Sequence, residues 1–150
     1  MNRVFVSGSI SIKTLPIEVI KSFDKIIAQN IQVIVGDADG IDALTQNYFE
    51  SKNYINLTVC FIYDRPRNLA SNLFEIKKID YDTNLKSQRE KQTAKDIYMT
   101  NNTDYSFVIW DGKSKGSYAN IKRAIENNKK LKVHYIQEEL TVQNIDSIYK

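Results

Sequence analysis

Four short apolar runs set the strongest limit on how this chain can fold. They are "RVFVSG" (Arg3 to Gly8), "IQVIVG" (Ile31 to Gly36), "LTVCFIY" (Leu57 to Tyr63) and "YSFVIW" (Tyr105 to Trp110). Each is almost continuously apolar, with no polar residue at every second position. A strand of that kind must be covered on both faces, which is the condition of a parallel sheet between helices. A fifth run, "KLKVHYI" (Lys130 to Ile136), reads as a late strand.

Helical patterns fall between the runs. Val19, Ile20, Phe23, Ile26 and Ile27 recur at helical spacing behind Pro16, which suits a first helical turn. Ile41, Leu44, Thr45, Tyr48 and Phe49 form a second such face. A polar helix is expected from Thr83 through "NLKSQREKQTAKDIYM", and another around Ile121, Ala124 and Ile125. Thr141 is placed to cap a short final helix with Ile145 and Ile148. The segment Arg65 to Asp82 has no clean period and reads as a loop, a short helix or an extra edge strand. The expected fold is α/β: one three-layer, Rossmann-like domain over residues 1–150, with a mostly parallel sheet flanked by helices.

Charge and cysteine content narrow the function classes. With 150 residues and a net charge of +3, the chain has a domain's length but no basic stripe to argue for nucleic acid. Cys60 is the only cysteine, so no intrachain disulfide and no cysteine-rich metal site are expected; it reads as a buried, inert thiol. The one histidine, His134, lies in a strand-like run and reads as structural. No leader pattern and no apolar stretch of roughly 20 residues is present, so the expectation is a cytoplasmic chain without a membrane partner.

In a parallel sheet, ligands bind beyond the carboxyl ends of the strands. The residues just after each run are therefore the candidates for a site. The first run ends in Ser7, Gly8 and Ser9; the second leads into "GDADGID", with Gly36, Asp37, Asp39, Gly40 and Asp42. The "YSFVIW" run leads into "WDGKSKGS", with Trp110, Asp111, Gly112, Ser114, Gly116 and Ser117. Glycines admit a ligand close to the backbone, and the amides at a helix start attract anions. Carboxylates instead accept hydrogen bonds from ribose hydroxyls, hold a divalent ion, or exchange protons. Turn and cap chemistry explains any one of these loops alone. Together at one sheet edge, they suit a ligand with both phosphate and sugar.

"VFVSGSI", "VIVGDADGID" and "MTNNTDYSFVIWDGKSKGSYANIKRAI", in this order, resemble the SLOG superfamily, the Rossmann-like group of the Lonely Guy enzymes and DprA-type proteins. The similarity is greatest to its YspA/YpsA-like branch and spans roughly Arg3 to Ile136. The resemblance implies a nucleotide or nucleotide-derived ligand in the cleft, held by the three turns. It also points to Lys95, Asp96 and Met99 in "KDIYM", which match an "RNxxM"-like helix with Lys in place of Arg; Arg89 lies two turns earlier. Lonely Guy enzymes carry "PGGxGTxxE"; here Asn120 stands where that Glu would be, and Asn cannot act as a general base.

The expected function is recognition of a nucleotide-type small molecule, such as an ADP-ribose-like or cyclic nucleotide signal, by a sensor or sequestering protein. The alternative is an N-glycosidic hydrolase or transferase, with Asp37 or Asp111 acting on the bond. Neither a cofactor nor a metal is assigned. Nucleic-acid binding ranks lowest. Nine tyrosines and one tryptophan leave room for a homodimer or higher homo-oligomer.

Overall fold

The structure, a computed structural model, describes residues 2–136. The run expected to form a final helix at Thr141, Ile145 and Ile148 lies outside the described residues. Ten elements occur in order: β1 (Arg3–Gly8), α1 (Ile17–Ala28), β2 (Gln32–Val35), α2 (Ile41–Ser51), β3 (Leu57–Phe61), β4 (Glu75–Lys78), α3 (Gln88–Asn101), β5 (Tyr105–Trp110), α4 (Lys115–Glu126) and β6 (Lys130–Tyr135). The six strands form one sheet in the order β4-β3-β2-β1-β5-β6. Every pairing is parallel.

The apolar runs form the interior of that sheet. Val4, Val6, Val33, Val35, Leu57, Val59, Phe107 and Ile109 face α1 and α2, which bury Val19, Phe23, Ile26, Ile41 and Phe49 against them. Phe5, Ile34 and Cys60 point to the other face, where Met99 of α3 covers them. Burial pushes the Cys60 thiol up to about 12, so it is an inert core group. The alternation of strand residues between two buried faces is why the runs contain no polar register.

The edges depart from that pattern. β4 is exposed along its length and β6 is only partly buried. The segment Arg65 to Asp82 contains this edge strand. The β3–β4 crossover has no helix; Phe74 and Ala70 pack on the core in its place. At the other edge, Lys130 and Lys132 lie over the rings of Tyr105 and Phe107, at 5.6 and 5.4 Å from the ring centroids. Their stems cover apolar surface while the ammonium groups stay wet.

Helix starts obey local chemistry. α3 begins at Gln88 rather than at Thr83, because Ser87 accepts from the Glu90 amide and caps it. Pro16 is the N-cap of α1 rather than a residue inside its first turn. No helix among the described residues is long and apolar enough to cross a membrane.

Phe23 is fully buried and touches the rings of Tyr48, Phe49 and Phe107. Phe23→Ala is expected to cost about 3–5 kcal/mol, read as a lower urea midpoint.

Candidate functional site

β1 is the point where strand order reverses: β2, β3 and β4 lie to one side of it, β5 and β6 to the other. A cavity of about 690 Å³ lies at the carboxyl ends of these strands. Ser7 and Gly8 at the end of β1 contribute to its wall, as do Asp111, Ser114, Gly116 and Ser117 of the β5–α4 turn. Arg89, Gln92, Lys95, Asp96 and Met99 of α3 form another wall, and Asp42 of α2, Arg67 and Arg123 complete it.

The wall beside α2 is organised from below by Asp37, which has no solvent exposure. Its Oδ1 accepts from Lys95 Nζ at 2.9 Å and from Arg67 Nη2 at 2.8 Å; its Oδ2 accepts from the Arg67 amide at 2.9 Å. Burial opposes the charge, but the Arg67 hydrogen bond and the Lys95 charge outweigh it and hold the carboxyl at about 2. Two cations therefore share one carboxylate, and both line the cavity.

Arg67 reaches this position because its loop is tied to the β2–α2 turn. Asn68 Nδ2 donates to the Asp37 carbonyl at 2.8 Å and to Asp39 Oδ1 at 3.0 Å. The buried Gln46 amide donates to the carbonyls of Gly36 and Asn68 and accepts from the Ala70 amide. Gln46 thus satisfies backbone groups of two loops at once.

The β5–α4 turn is built differently. Asp111 accepts from Ser11 Oγ at 2.7 Å and from the amides of Lys113 and Ser114 at 2.8 and 2.9 Å. These bonds outweigh desolvation and hold its carboxyl at about 2. Ser9 Oγ accepts from the Asp111 amide, joining this turn to the end of β1. Ser114 caps α4 by accepting from the Ser117 amide at 3.2 Å. The Lys115 and Gly116 amides in the first turn have no carbonyl to bond within the helix. A Cβ added at Gly116 would meet nothing within 4 Å.

Two carboxyl groups behave in the opposite way to Asp37 and Asp111. Burial pushes Asp42 up to about 7, helped by the nearby charges of Asp96 and Asp37 against the pull of Lys95. Burial also pushes Asp96 up to about 6, against Lys95, Arg123 and Arg67.

Of the residues expected at the site, Ser7, Gly8, Asp42, Arg89, Lys95, Asp96, Met99, Asp111, Ser114, Gly116 and Ser117 come together around the cavity. Ser9, Gly36, Asp37, Asp39, Gly40, Trp110 and Gly112 are not in its wall. Asp37 is buried with both oxygens accepting from Arg67 and Lys95, and Asp39 Oδ1 accepts from Asn68; neither residue lines the cavity. Gly36 leaves room for Asp42, whose carboxylate would lie 2.5 Å from an added Cβ. Gly40, at φ +72°, packs against the Ser9 and Ile10 backbone, and Gly112, at φ +80°, lies under the Tyr135 ring. Trp110 donates its indole N–H to the Ser114 carbonyl and stacks on Tyr118. These residues shape the turns rather than the cavity surface.

Arg67, Gln92 and Arg123 join the wall without having been expected there. The sequence does carry a signal for part of this wall: Arg89, Gln92, Thr93, Asp96 and Met99 recur at helical spacing, a polar stripe where a core helix would show apolar residues. Asn120 lies in the wall and accepts from Arg123 Nη1 at 2.6 Å.

Comparisons with protein-family models, with curated proteins and with solved structures find no match to this chain.

The carboxyl groups make stability sensitive to substitution and to pH. Asp37→Asn leaves Lys95 buried without its counter-charge and is expected to cost about 3–5 kcal/mol in urea unfolding. Asp42 and Asp96 keep their protons to a higher pH folded than unfolded, where a carboxyl titrates near ~4. Between ~4 and ~7 the folded chain therefore binds more protons, so their contribution to stability falls as pH rises. Asp37, held low, contributes stability above ~4 that is lost as pH falls toward ~2. Urea midpoints across pH 4 to 7 are expected to decline less in Asp42→Asn than in the parent chain.

Proposed function

We propose that this chain binds a nucleotide-derived small molecule, of ADP-ribose or cyclic nucleotide type, as a sensor or sequestering protein. The observation that carries the reading is the position and lining of one cavity. It lies where strand order reverses, beside the start of α4, and it is wide enough for a nucleotide-sized ligand.

The lining divides by chemistry. The Lys115 and Gly116 amides, with the positive end of the α4 dipole, suit a phosphate. Lys13, Arg89 and Lys115 add cations that make no ion pair among the described residues. Ile10, which is exposed and lines the cavity, supplies apolar surface for a base. The hydroxyl of Ser7 and the amide nitrogen of Gln92 are buried without a hydrogen-bond partner, and both residues line the cavity. A buried polar atom left unpaired is costly, and a ligand bearing hydroxyls would satisfy both. The sugar side of the ligand is thus assigned to Ser7, Gln92, Asp42 and Asp96, in place of Asp37 and Asp39.

Calorimetric titration with AMP, ATP, NAD, ADP-ribose and cyclic AMP tests the reading. At least one is expected to bind; absence of heat for all at millimolar concentration would exclude it. Gly116→Val meets open space and is expected to leave the melting temperature within a few degrees of the parent. The same variant puts a side chain over the anion end and is expected to weaken binding at least tenfold.

A further inference from the structure

We propose that a groove between α1 and β6 is the docking site of the chain's own residues 140–149. The groove lies on the α1 face of the sheet, and none of its lining residues lines the cavity at the strand ends. It is a separate site with a separate occupant.

The two faces of the β6 edge differ in what covers them. α4 packs on β5 and β6 from one side. On the α1 side, Lys130 and Lys132 of β6 are exposed. Between α1 and β6 there is a depression of about 300 Å³, lined by Val4, Ile26, Ile31, Tyr105, Phe107 and Leu131. Its rim is basic: Lys25, Lys130 and Lys132 line it, and none of them makes an ion pair among the described residues. The ammonium groups of Lys130 and Lys132 lie 5.6 and 5.4 Å from the ring centroids of Tyr105 and Phe107, and Lys132 Nζ donates to Ser22 Oγ at 2.7 Å. Long side chains folded down in this way shield apolar surface that no helix covers. An apolar floor with an unpaired cationic rim suits an amphipathic segment that carries acids.

The chain supplies such a segment next to the groove. β6 ends at Tyr135, and Ile136 packs against the core cluster of the α1 face. The chain therefore leaves the sheet on the side where the groove lies. The residues that follow are "QEELTVQNIDSIYK". Val142, Ile145, Ile148 and Tyr149 share one face at helical spacing, and Glu138, Glu139 and Asp146 outnumber the single Lys150. A helix over 141–149 would be about 13 Å long, against ~20 Å for a strand of six residues, so it fits alongside β6 once the chain turns back. A helix that short is not stable alone in water and needs a surface for its apolar face. In the groove that face covers Tyr105 and Phe107, and Lys25, Lys130 and Lys132 meet the acids. A second copy of the chain suits the groove less well. Each copy carries a net charge of +3 and brings its own lysine rim to the contact.

The full chain with a nitroxide on Ser147→Cys tests the docking, because Cys60 is buried and stays unlabelled. The amide signals of Lys25, Gln29, Ile31, Leu131 and Lys132 are expected to lose at least half their intensity and to recover when the nitroxide is reduced. Adding Ile145→Asp and Ile148→Asp to the labelled chain is expected to abolish that loss, with a dispersed spectrum showing that the domain is folded. Should this variant fail to fold, Lys132→Glu on the rim is expected to reduce the loss at least twofold. Loss confined to another surface, such as Tyr118 and Ile125 of α4, overturns the docking, as does the absence of any localised loss. Unchanged loss in the folded aspartate variant or in Lys132→Glu overturns it too. A mixture of isotope-labelled chain without nitroxide and unlabelled chain with it reports on a second copy. No loss is expected there; equal loss at the groove overturns the assignment to the chain's own residues.

Discussion

Asp37 stands at the end of β2 with its carboxylate closed off from solvent and clasped by Lys95 and Arg67. That one group joins three parts of the chain: the β2–α2 turn, the β3–β4 loop and α3. A buried ionised carboxylate is tolerable only when its charge is matched and its lone pairs are filled, and both conditions are met here. The cleft depends on the arrangement. Without the carboxylate, Lys95 has no reason to remain buried and Arg67 has no anchor over the cavity.

The two ends of the cavity then differ in how they are built. At the β5–α4 end, polar side chains are consumed in shaping the backbone: Asp111 sets the turn, Ser9 ties it to β1, and Ser114 caps the helix. What remains for a ligand there is backbone amide and the bare Gly116. At the α3 end the reverse holds, since the backbone is helical and satisfied and the side chains face the cavity. Such a division fits a ligand with a compact anion at one end and a hydroxyl-bearing group at the other. It also explains the unusual composition of α3, in which Lys95, Met99 and Thr100 are the buried residues.

Much of the fold is legible in the sequence because it is written in burial. The runs around Val6, Val35, Val59 and Phe107 read as strands covered on both faces, and that is what they are. The edge strand β4 does not stand out within its segment, since "EIKK" is exposed and carries no core period. The polar residues before Ser87 look helical until the cap is recognised, which places the start of α3 too early. The site is legible as three turns at one edge, but the role of single residues is not. "GDADGID" holds acids that differ only in where the chain points them. Asp37 turns under the cleft, Asp39 turns to Asn68, and Asp42, in the first turn of α2, faces the cavity. Arg67, far along the chain from β1 and in a segment without periodicity, becomes part of the same wall only through the fold.

The central claim is that one cavity at the β1–β5 reversal holds a phosphate-bearing ligand with its anion on the start of α4. Amide chemical shifts measured by nuclear magnetic resonance during titration with ADP-ribose test it most directly. The largest, saturable shifts are expected on the amides of Lys115, Gly116 and Ser117, together with those of Ser7 and Gly8. Saturable shifts confined to another part of the surface, such as the Tyr63 and Tyr81 end of β3 and β4, would contradict it.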